Sequence, residues 1–371
     1  LITPVGLKTF RIGWTGWAKR NSSRKGLVVI GMKSIQYTAN GDASVLQLVE
    51  RPIPDAGPGE VRVRVVVSGV NPTDWKARQG SGSGALAAPQ VPNQDGAGIV
   101  DAVGDGVTGL AVGDRVWVWD AAFGRPDGTA QEFVVLPEFQ VVALPTGASF
   151  DLGAALGIPA MTAHRALTTL DGGPERLAPG ALAGRTVLVA GGAGAVGHAA
   201  IQLAAWAGAT VVTTVSSPEK AELARRAGAD HVVNYRTEDA AARIREIAPD
   251  GVNLIVEVAP AANAELIGAV VGQAATVAIY ATDGGDTVSL PIRHYFLPNT
   301  RFQFLSTYTT SRDGKANAIQ ALTDAIVAGA LTVGEDGGLP VIRFPFEQTA
   351  AAHDAVAAGA VGKVLIDVAE V

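Results

Sequence analysis

Along residues 32 to 145, apolar positions come in short runs broken by turn residues. The stretch 60–67 (EVRVRVVV) alternates charged and apolar side chains, and this period of two predicts a strand with one buried face. Similar runs at 34–37, 45–49, 98–103, 114–119 and 131–135 are separated by Gly- and Pro-bearing turns at 54–59, 104–113 and 124–128. They predict an antiparallel β domain. Beyond residue 151 the pattern becomes helical, and then strands that are apolar throughout alternate with helices. Strands are expected at 186–190, 210–215, 231–234, 252–258 and 276–280, with helices at 194–206, 218–227 and 237–247. Apolar strands alternating with helices predict a doubly wound parallel sheet covered on both faces, so the fold class is α/β. A helix at 316–328 leads to strands near 341–346 and 364–368, which are expected to return to the first domain.

Composition narrows the function classes. The 371 residues fit two domains, and 48% hydrophobic against 17% charged residues describes a well-packed soluble chain. Lys and Arg number 29 against 35 Asp and Glu, a net charge of −6. With no long basic run in the body, nucleic acid is not an expected partner, and no apolar stretch reaches membrane-spanning length. No cysteine is present, which removes thiolate chemistry and zinc's commonest sulfur ligand. The five histidines lack the spacings that place two ligands on one helix face, so no metal site is expected. Residues 1–31 differ from the rest: they carry Lys8, Arg11, Lys19, Arg20, Arg24 and Lys25 and no acid, and read as an extension outside the fold.

One loop carries chemistry. Gly191, Gly194 and Gly197 stand in GxxGxxG spacing directly after a strand and at the start of a helix, with Ala195 and Val196 between the last two glycines. Glycines there permit a tight turn and close backbone approach to a pyrophosphate, while the first amides of the helix meet its negative charge. This context predicts dinucleotide binding. An NAD site would have an acid at the end of the second strand to hold the ribose hydroxyls. Here Ser216, Ser217 and Lys220 occupy that region and suit a 2′-phosphate, which points to NADP(H). The bland alternative makes Glu219 and Lys220 a solvated first helical turn with Ser217 as its N-cap.

The segments SGVNPTDWK at 68–76, QDGAG at 94–98, VGDGV at 103–107, GDRV at 113–116, GIPAMTAHRAL at 157–167, NYR at 234–236 and Gly362-Lys363 occur in order with the glycine loop. From Met32 onward the chain resembles the zinc-free quinone oxidoreductase (zeta-crystallin-like) family of medium-chain dehydrogenase/reductases. The resemblance implies a GroES-like substrate domain over 32–155 and 312–371 and a Rossmann domain over 156–311, with cofactor and substrate between them. It places Ser216, Lys220 and Tyr235 at the 2′-phosphate. Asn71 and Thr162 would face the nicotinamide cleft, Tyr280, Ala281 and Thr282 and the stretch from Leu305 to Tyr308 would border the ring, and Lys363 would lie near the cofactor. Taken singly, Asn71 reads as a turn residue, Thr162 as a helix residue and Lys363 as a solvated cation. In zinc-dependent relatives a Cys stands at the Asn71 position and a His-Glu pair at Gln94 and Asp95, so this chain lacks those ligands.

Many relatives have a Tyr where this chain has Lys76. Lys76 would stabilise a developing oxyanion, pair with Asp74, or simply face solvent. The resulting expectation is hydride transfer from NADPH to a quinone, with Asn71, Lys76 and Asp74 as the catalytic candidates. Two alternatives stand beside it: reduction of an α,β-unsaturated carbonyl such as an enone, enal or enoyl thioester, and a non-catalytic NADPH-binding protein. The resemblance also implies a cytoplasmic homodimer, pairing through the apolar strand at 302–306.

Overall fold

The computed structural model describes residues 31–81 and 86–370. Apart from Gly31, which opens the first strand, the expected N-terminal extension lies outside the described residues.

The β half of the chain runs β1 (Gly31–Gln36), β2 (Gln47–Pro52), β3 (Glu60–Val70), α1 (Pro72–Arg78), β4 (Asp95–Val103), β5 (Arg115–Val118), β6 (Phe133–Pro137) and β7 (Val141–Ala143). The α/β half follows with α2 (Phe150–Gly153), α3 (Met161–Leu167), β8 (Thr186–Ala190), α4 (Ala195–Trp206), β9 (Thr210–Val215), α5 (Pro218–Arg226) and β10 (His231–Asn234). It continues through α6 (Ala240–Ile247), β11 (Val252–Glu257), α7 (Ala264–Val270), β12 (Val271–Ile279), α8 (Arg293–Phe296) and β13 (Arg301–Phe304). The chain closes with α9 (Arg312–Val327), β14 (Val341–Pro345), α10 (Thr349–Ala357) and β15 (Lys363–Asp367).

Strands β10-β9-β8-β11-β12-β13 form a six-stranded sheet whose recorded pairings are all parallel. The order reverses between β8 and β11, and ligands in such sheets bind outside the carboxyl ends of the strands at that switch point. The second large sheet has the order β14-β15-β3-β4-β5-β7, with β6 also on β3. Its pairings are antiparallel except β14 with β15, which α10 connects as a parallel crossover. β14 and β15 thus return to the sheet of the β half that opens the chain, as their position in the sequence predicts.

Element boundaries moved where a polar side chain caps a helix. The expected strand at 45–49 becomes β2, two residues later, because Ala43–Val45 coils into a 3-10 turn whose leading residue, Asp42, accepts from the Ser44 amide. The expected helix at 237–247 begins only at Ala240, where Asp239 accepts from the Ala242 amide. In α9 the start moves back to Arg312, with Ser311 as its N-cap.

The largest apolar core joins the two sheets, from Trp117 and Val67 through Leu156 and Met161 to Ile201 and Val256. A chain of buried polar groups runs beneath the β sheet. His353 Nε2 lies 2.9 Å from Asn93 Oδ1, Asn93 Nδ2 donates to Ser68 Oγ at 2.9 Å, Ser68 meets Thr129 Oγ1 at 2.7 Å, and Thr129 donates to the Asp95 carbonyl at 2.5 Å. Because the Asn93 carboxamide gives its Nδ2 to Ser68, its oxygen must accept, so Nε2 of His353 carries a hydrogen.

Burial, followed by the Arg78 charge, pushes the His353 pKa down to about 3. An unfolded His titrates near 6.5, so between pH 6.5 and 3 the unfolded state holds the extra proton and His353 withdraws stability as pH falls. The His353→Gln protein keeps a donor for Asn93 but loses this titration. Urea unfolding at pH 6.5, 5.5 and 4.5 should show the parent losing about 1 kcal/mol more than the variant over each interval; parallel stability curves would refute the assignment.

Candidate active site

A cavity of about 900 Å³ opens at the carboxyl ends of β8 and β11, between the parallel sheet and the β3–α1 segment. At one end β8 turns into α4. Gly191 has φ +69, a backbone conformation that disfavours side chains, and Gly194 takes the N-cap position of α4. Gly191, Gly194, Ala195 and Val196 line the cavity, together with Ala193, which the spacing argument did not single out. Gly197 does not line it. A Cβ there would meet the Gly191 carbonyl oxygen at 2.4 Å, so Gly197 acts from behind by letting helix and loop touch. The free first-turn amides of α4 and the open loop form a cradle for an anion.

The end of β9 supplies the next group. Ser216 and Lys220 line the cavity, and Lys220 Nζ donates to Ser216 Oγ at 3.1 Å. Tyr235, just past β10, lines the same rim and is half exposed. Ser217 departs from expectation: its hydroxyl accepts from the Lys220 amide as the N-cap of α5 and does not line the cavity. A serine directly before Pro218 at the first helical position is already committed to capping.

At the other end stand Asn71, Thr162, Tyr280, Ala281, Thr282, Leu305, Tyr308 and Lys363, all on the cavity wall. Asn71 precedes α1 and is 2% exposed. Its Nδ2 donates to Asp95 Oδ2 at 2.7 Å, and its Oδ1 accepts from Lys363 Nζ at 2.7 Å. Lys363 Nζ also reaches Asp95 Oδ2 at 3.3 Å and the Val70 carbonyl at 3.4 Å. Burial raises the Asp95 pKa and lowers that of Lys363, while each partner's charge pulls the other back towards ionisation. Lys363 is therefore no solvated cation.

Two neighbouring expectations are corrected. Asp74 is buried off the cavity wall, accepting from the Asn71 amide at 2.7 Å and the Gln94 amide at 3.2 Å, so it fixes the start of α1. Burial and then the Asp95 charge push its pKa up to about 7. Lys76 does not pair with it. Lys76 lines the cavity and reaches Asp283 Oδ1, in the segment after β12, at 3.5 Å.

Three participants escaped sequence reasoning. Thr73 is the first: its hydroxyl lies 2.9 Å from that of the expected Tyr308, and both line the cavity. Asp95 was read only as a lost metal ligand; its partner Lys363 is 268 residues away, and no local spacing records such a pairing. Asp283 is an ordinary loop acid until the fold brings Lys76 to it.

The chain also matches known proteins. Residues 57–146 match the alcohol dehydrogenase GroES-like domain and residues 195–324 match the family described as zinc-binding dehydrogenase. The synaptic vesicle membrane protein VAT-1 homologue of Rattus norvegicus is 34% identical over 228 residues, or 61% of this chain. That match spans only 53% of the relative's length. The quinone oxidoreductase of Rattus norvegicus is 30% identical over 345 residues, which cover 90% of this chain and 97% of the relative. A mycobacterial protein solved in complex with NADPH superposes with a TM-score of 0.75 at 29% identity, covering 90% of this chain and 99% of that one. With the fold, the glycine loop and near full-length similarity to a quinone oxidoreductase in agreement, the chain belongs to the quinone oxidoreductase-like family of medium-chain dehydrogenase/reductases.

Proposed function

We propose that this protein is an NADPH-dependent reductase that delivers a hydride to a quinone without a metal. The observation that carries the reading is the cavity itself. One end is an anion cradle followed by Ser216 and Lys220 with no carboxylate on the wall there, and the other holds a buried carboxamide, Asn71, on an ion pair. The residues fit NADP(H): Gly191 and the α4 amides would hold the pyrophosphate, and Lys220, Ser216 and Tyr235 the 2′-phosphate. Tyr280 to Thr282 and the Leu305 to Tyr308 stretch would flank the ring. Bound NADPH supplies the hydride. The chain contributes orientation, exclusion of water by apolar walls, and a hydrogen bond from Asn71 to the acceptor oxygen. Among the described residues no group of three or more His, Cys, Asp or Glu could hold a metal. That donor set supports the metal-free reading, and a hydroquinone anion needs no dedicated acid.

The Tyr308–Thr73 hydroxyl pair favours a second reading. Reduction of an activated alkene needs a proton at carbon, and burial keeps the Tyr308 phenol protonated. Steady-state turnover of NADPH and NADH with 1,4-benzoquinone, 9,10-phenanthrenequinone and a simple enone tests both. NADPH with quinones should dominate, and the Lys220→Ala protein should bind NADPH about tenfold more weakly with NADH affinity unchanged. Equal use of both cofactors would reject the phosphate site. Enone turnover that is lost in the Tyr308→Phe protein would replace the quinone reading by the second one.

The small-molecule enzyme would also be a homodimer. β13 is an edge strand, with Phe304 65% exposed and Phe296 and Leu297 of the preceding segment exposed beside it in sequence. Unpaired backbone and apolar side chains on such an edge invite pairing with a second copy. Sedimentation should give a dimer for the parent and a monomer for Phe304→Lys; a monomeric parent would remove the interface. No helix among the described residues is long and apolar enough to cross a membrane.

A further inference from the structure

Asn71 and Lys363 entered as neighbours of the cofactor, but their hydrogen bonds imply a more specific division of labour. A lysine ammonium can only donate, and a carboxylate can only accept. The Asn71 carboxamide lies between Lys363 Nζ at 2.7 Å and Asp95 Oδ2 at 2.7 Å, so its orientation is chemically determined, with oxygen towards Lys363 and nitrogen towards Asp95. Lys363 has three hydrogens and three protein acceptors: Asn71 Oδ1, Asp95 Oδ2 and the Val70 carbonyl. None remains for a ligand. Asn71, on the wall of the cavity, has two Nδ2 hydrogens and, among the described residues, one protein acceptor. Its second hydrogen is the uncommitted donor of the cluster.

We propose that Lys363 and Asp95 are positioning residues, which lock the Asn71 carboxamide so that its free Nδ2 hydrogen serves as the donor for negative charge developing on the acceptor oxygen. The inference rests on the reading of the cavity as a reductase site. Lys363 also withdraws electron density from the carboxamide through its bond to Oδ1, which makes the free N–H a stronger donor. Without Lys363 or Asp95 the carboxamide could invert, presenting an oxygen lone pair where the acceptor oxygen gains charge. The surroundings are shaped for this lock. A Cβ on Gly69 would lie 3.1 Å from Lys363 Cε and 2.1 Å from the Ala154 carbonyl, and a Cβ on Gly157 would lie 2.3 Å from Asp95 Oδ1. Both glycines are needed for the ion pair to close behind Asn71.

The test uses the full chain with NADPH and 9,10-phenanthrenequinone. Asn71→Ala should lower kcat on the order of a hundredfold, with NADPH affinity, measured by cofactor fluorescence, unchanged. Lys363→Met should lower kcat to a similar extent, again with unchanged affinity, and the Lys363→Met/Asn71→Ala protein should be no slower than Asn71→Ala alone, because groups acting through one another are not additive. Lys363→Arg, which restores the donor, should recover most of the loss. A Lys363→Met protein that loses NADPH affinity but keeps kcat, or losses that multiply in the double variant, would overturn the proposal. Since removing one member of a buried pair can unfold a protein, the parent is also followed by NMR with ¹⁵N-asparagine. One Asn71 Nδ2 hydrogen should be held by Asp95 from the start, and the other should shift only when a non-reducible quinone analogue is added to the NADPH complex. If neither shifts, or both are free in the unliganded protein, the lock is absent. A parent that binds NADPH and reduces no quinone or enone would sink the reductase reading instead, and the NMR of its unliganded state would still report whether the carboxamide is held.

Discussion

The ion pair between Asp95 and Lys363 is the constraint on which the rest of the site depends. Asp95 is fully buried and Lys363 is 1% exposed, so neither charge has water to stabilise it. Burying a pair of this kind costs more than the mutual attraction returns unless further hydrogen bonds complete both groups. Here they are complete. The Ile158 amide donates to Asp95 Oδ1 at 2.8 Å, Asn71 and Lys363 share Oδ2, and the remaining ammonium hydrogens go to Asn71 and Val70. Those bonds join the start of β4, the start of β15, the end of β3 and the Leu156–Ala160 turn that leads into α3. The two halves of the molecule therefore meet at a point fixed by polar geometry, and Asn71 stands at that point.

Further contacts tighten the same seam. Lys315 of α9 pairs with buried Asp120 at 2.6 Å, lies 4.5 Å from the Trp119 ring centroid and donates to the Tyr308 carbonyl at 3.3 Å. The Tyr308 ring stacks on Phe123 with centroids 4.5 Å apart, and its hydroxyl meets Thr73. Tyr308 is thus gripped by its backbone, ring face and hydroxyl while one side borders the cavity. A wall built this way holds its shape without a ligand, which is the preorganisation that orientation-based catalysis requires. The Lys76–Asp283 contact differs: both side chains are substantially exposed, and a pair of that kind contributes little to stability.

Periodicity made the sheets legible. The alternation in 60–67 became β3, and the apolar runs at 186–190 and 210–215 became β8 and β9 without change of boundary. Glycine spacing placed the phosphate loop because its cause is local: a tight turn after a strand needs Gly at fixed intervals. Errors arose where one side chain had two competing local uses. Ser217 was assigned to a ligand but caps α5, and Asp74 was offered to Lys76 but caps α1. What the sequence could not carry was pairing across distance. Asp95 and Lys363, Thr73 and Tyr308, and Asp120 and Lys315 lie about 200 residues or more apart. Each pair is created by the way strands return to a sheet, a property of topology that residue order does not record.

The position of Asn71 also limits the chemistry. A metal ion polarises an acceptor oxygen with a full positive charge, whereas a carboxamide offers one neutral N–H. The cation nearest to Asn71, Lys363, is spent on Asn71, Asp95 and Val70, and its charge is balanced by Asp95, so what Asn71 turns to the cavity is a fixed dipole. Such a dipole gives modest stabilisation but needs no reorganisation during reaction, because its partners already hold it. If it works as proposed, a site of this kind favours acceptors that are strongly electrophilic before they bind and whose reduced anion is stable. An unactivated ketone would demand more charge stabilisation than this wall supplies, while a quinone spreads the incoming charge through its own ring. On the proposed reading acceptor electrophilicity becomes part of the specificity, set by what the Asn71 lock withholds as much as by what it offers.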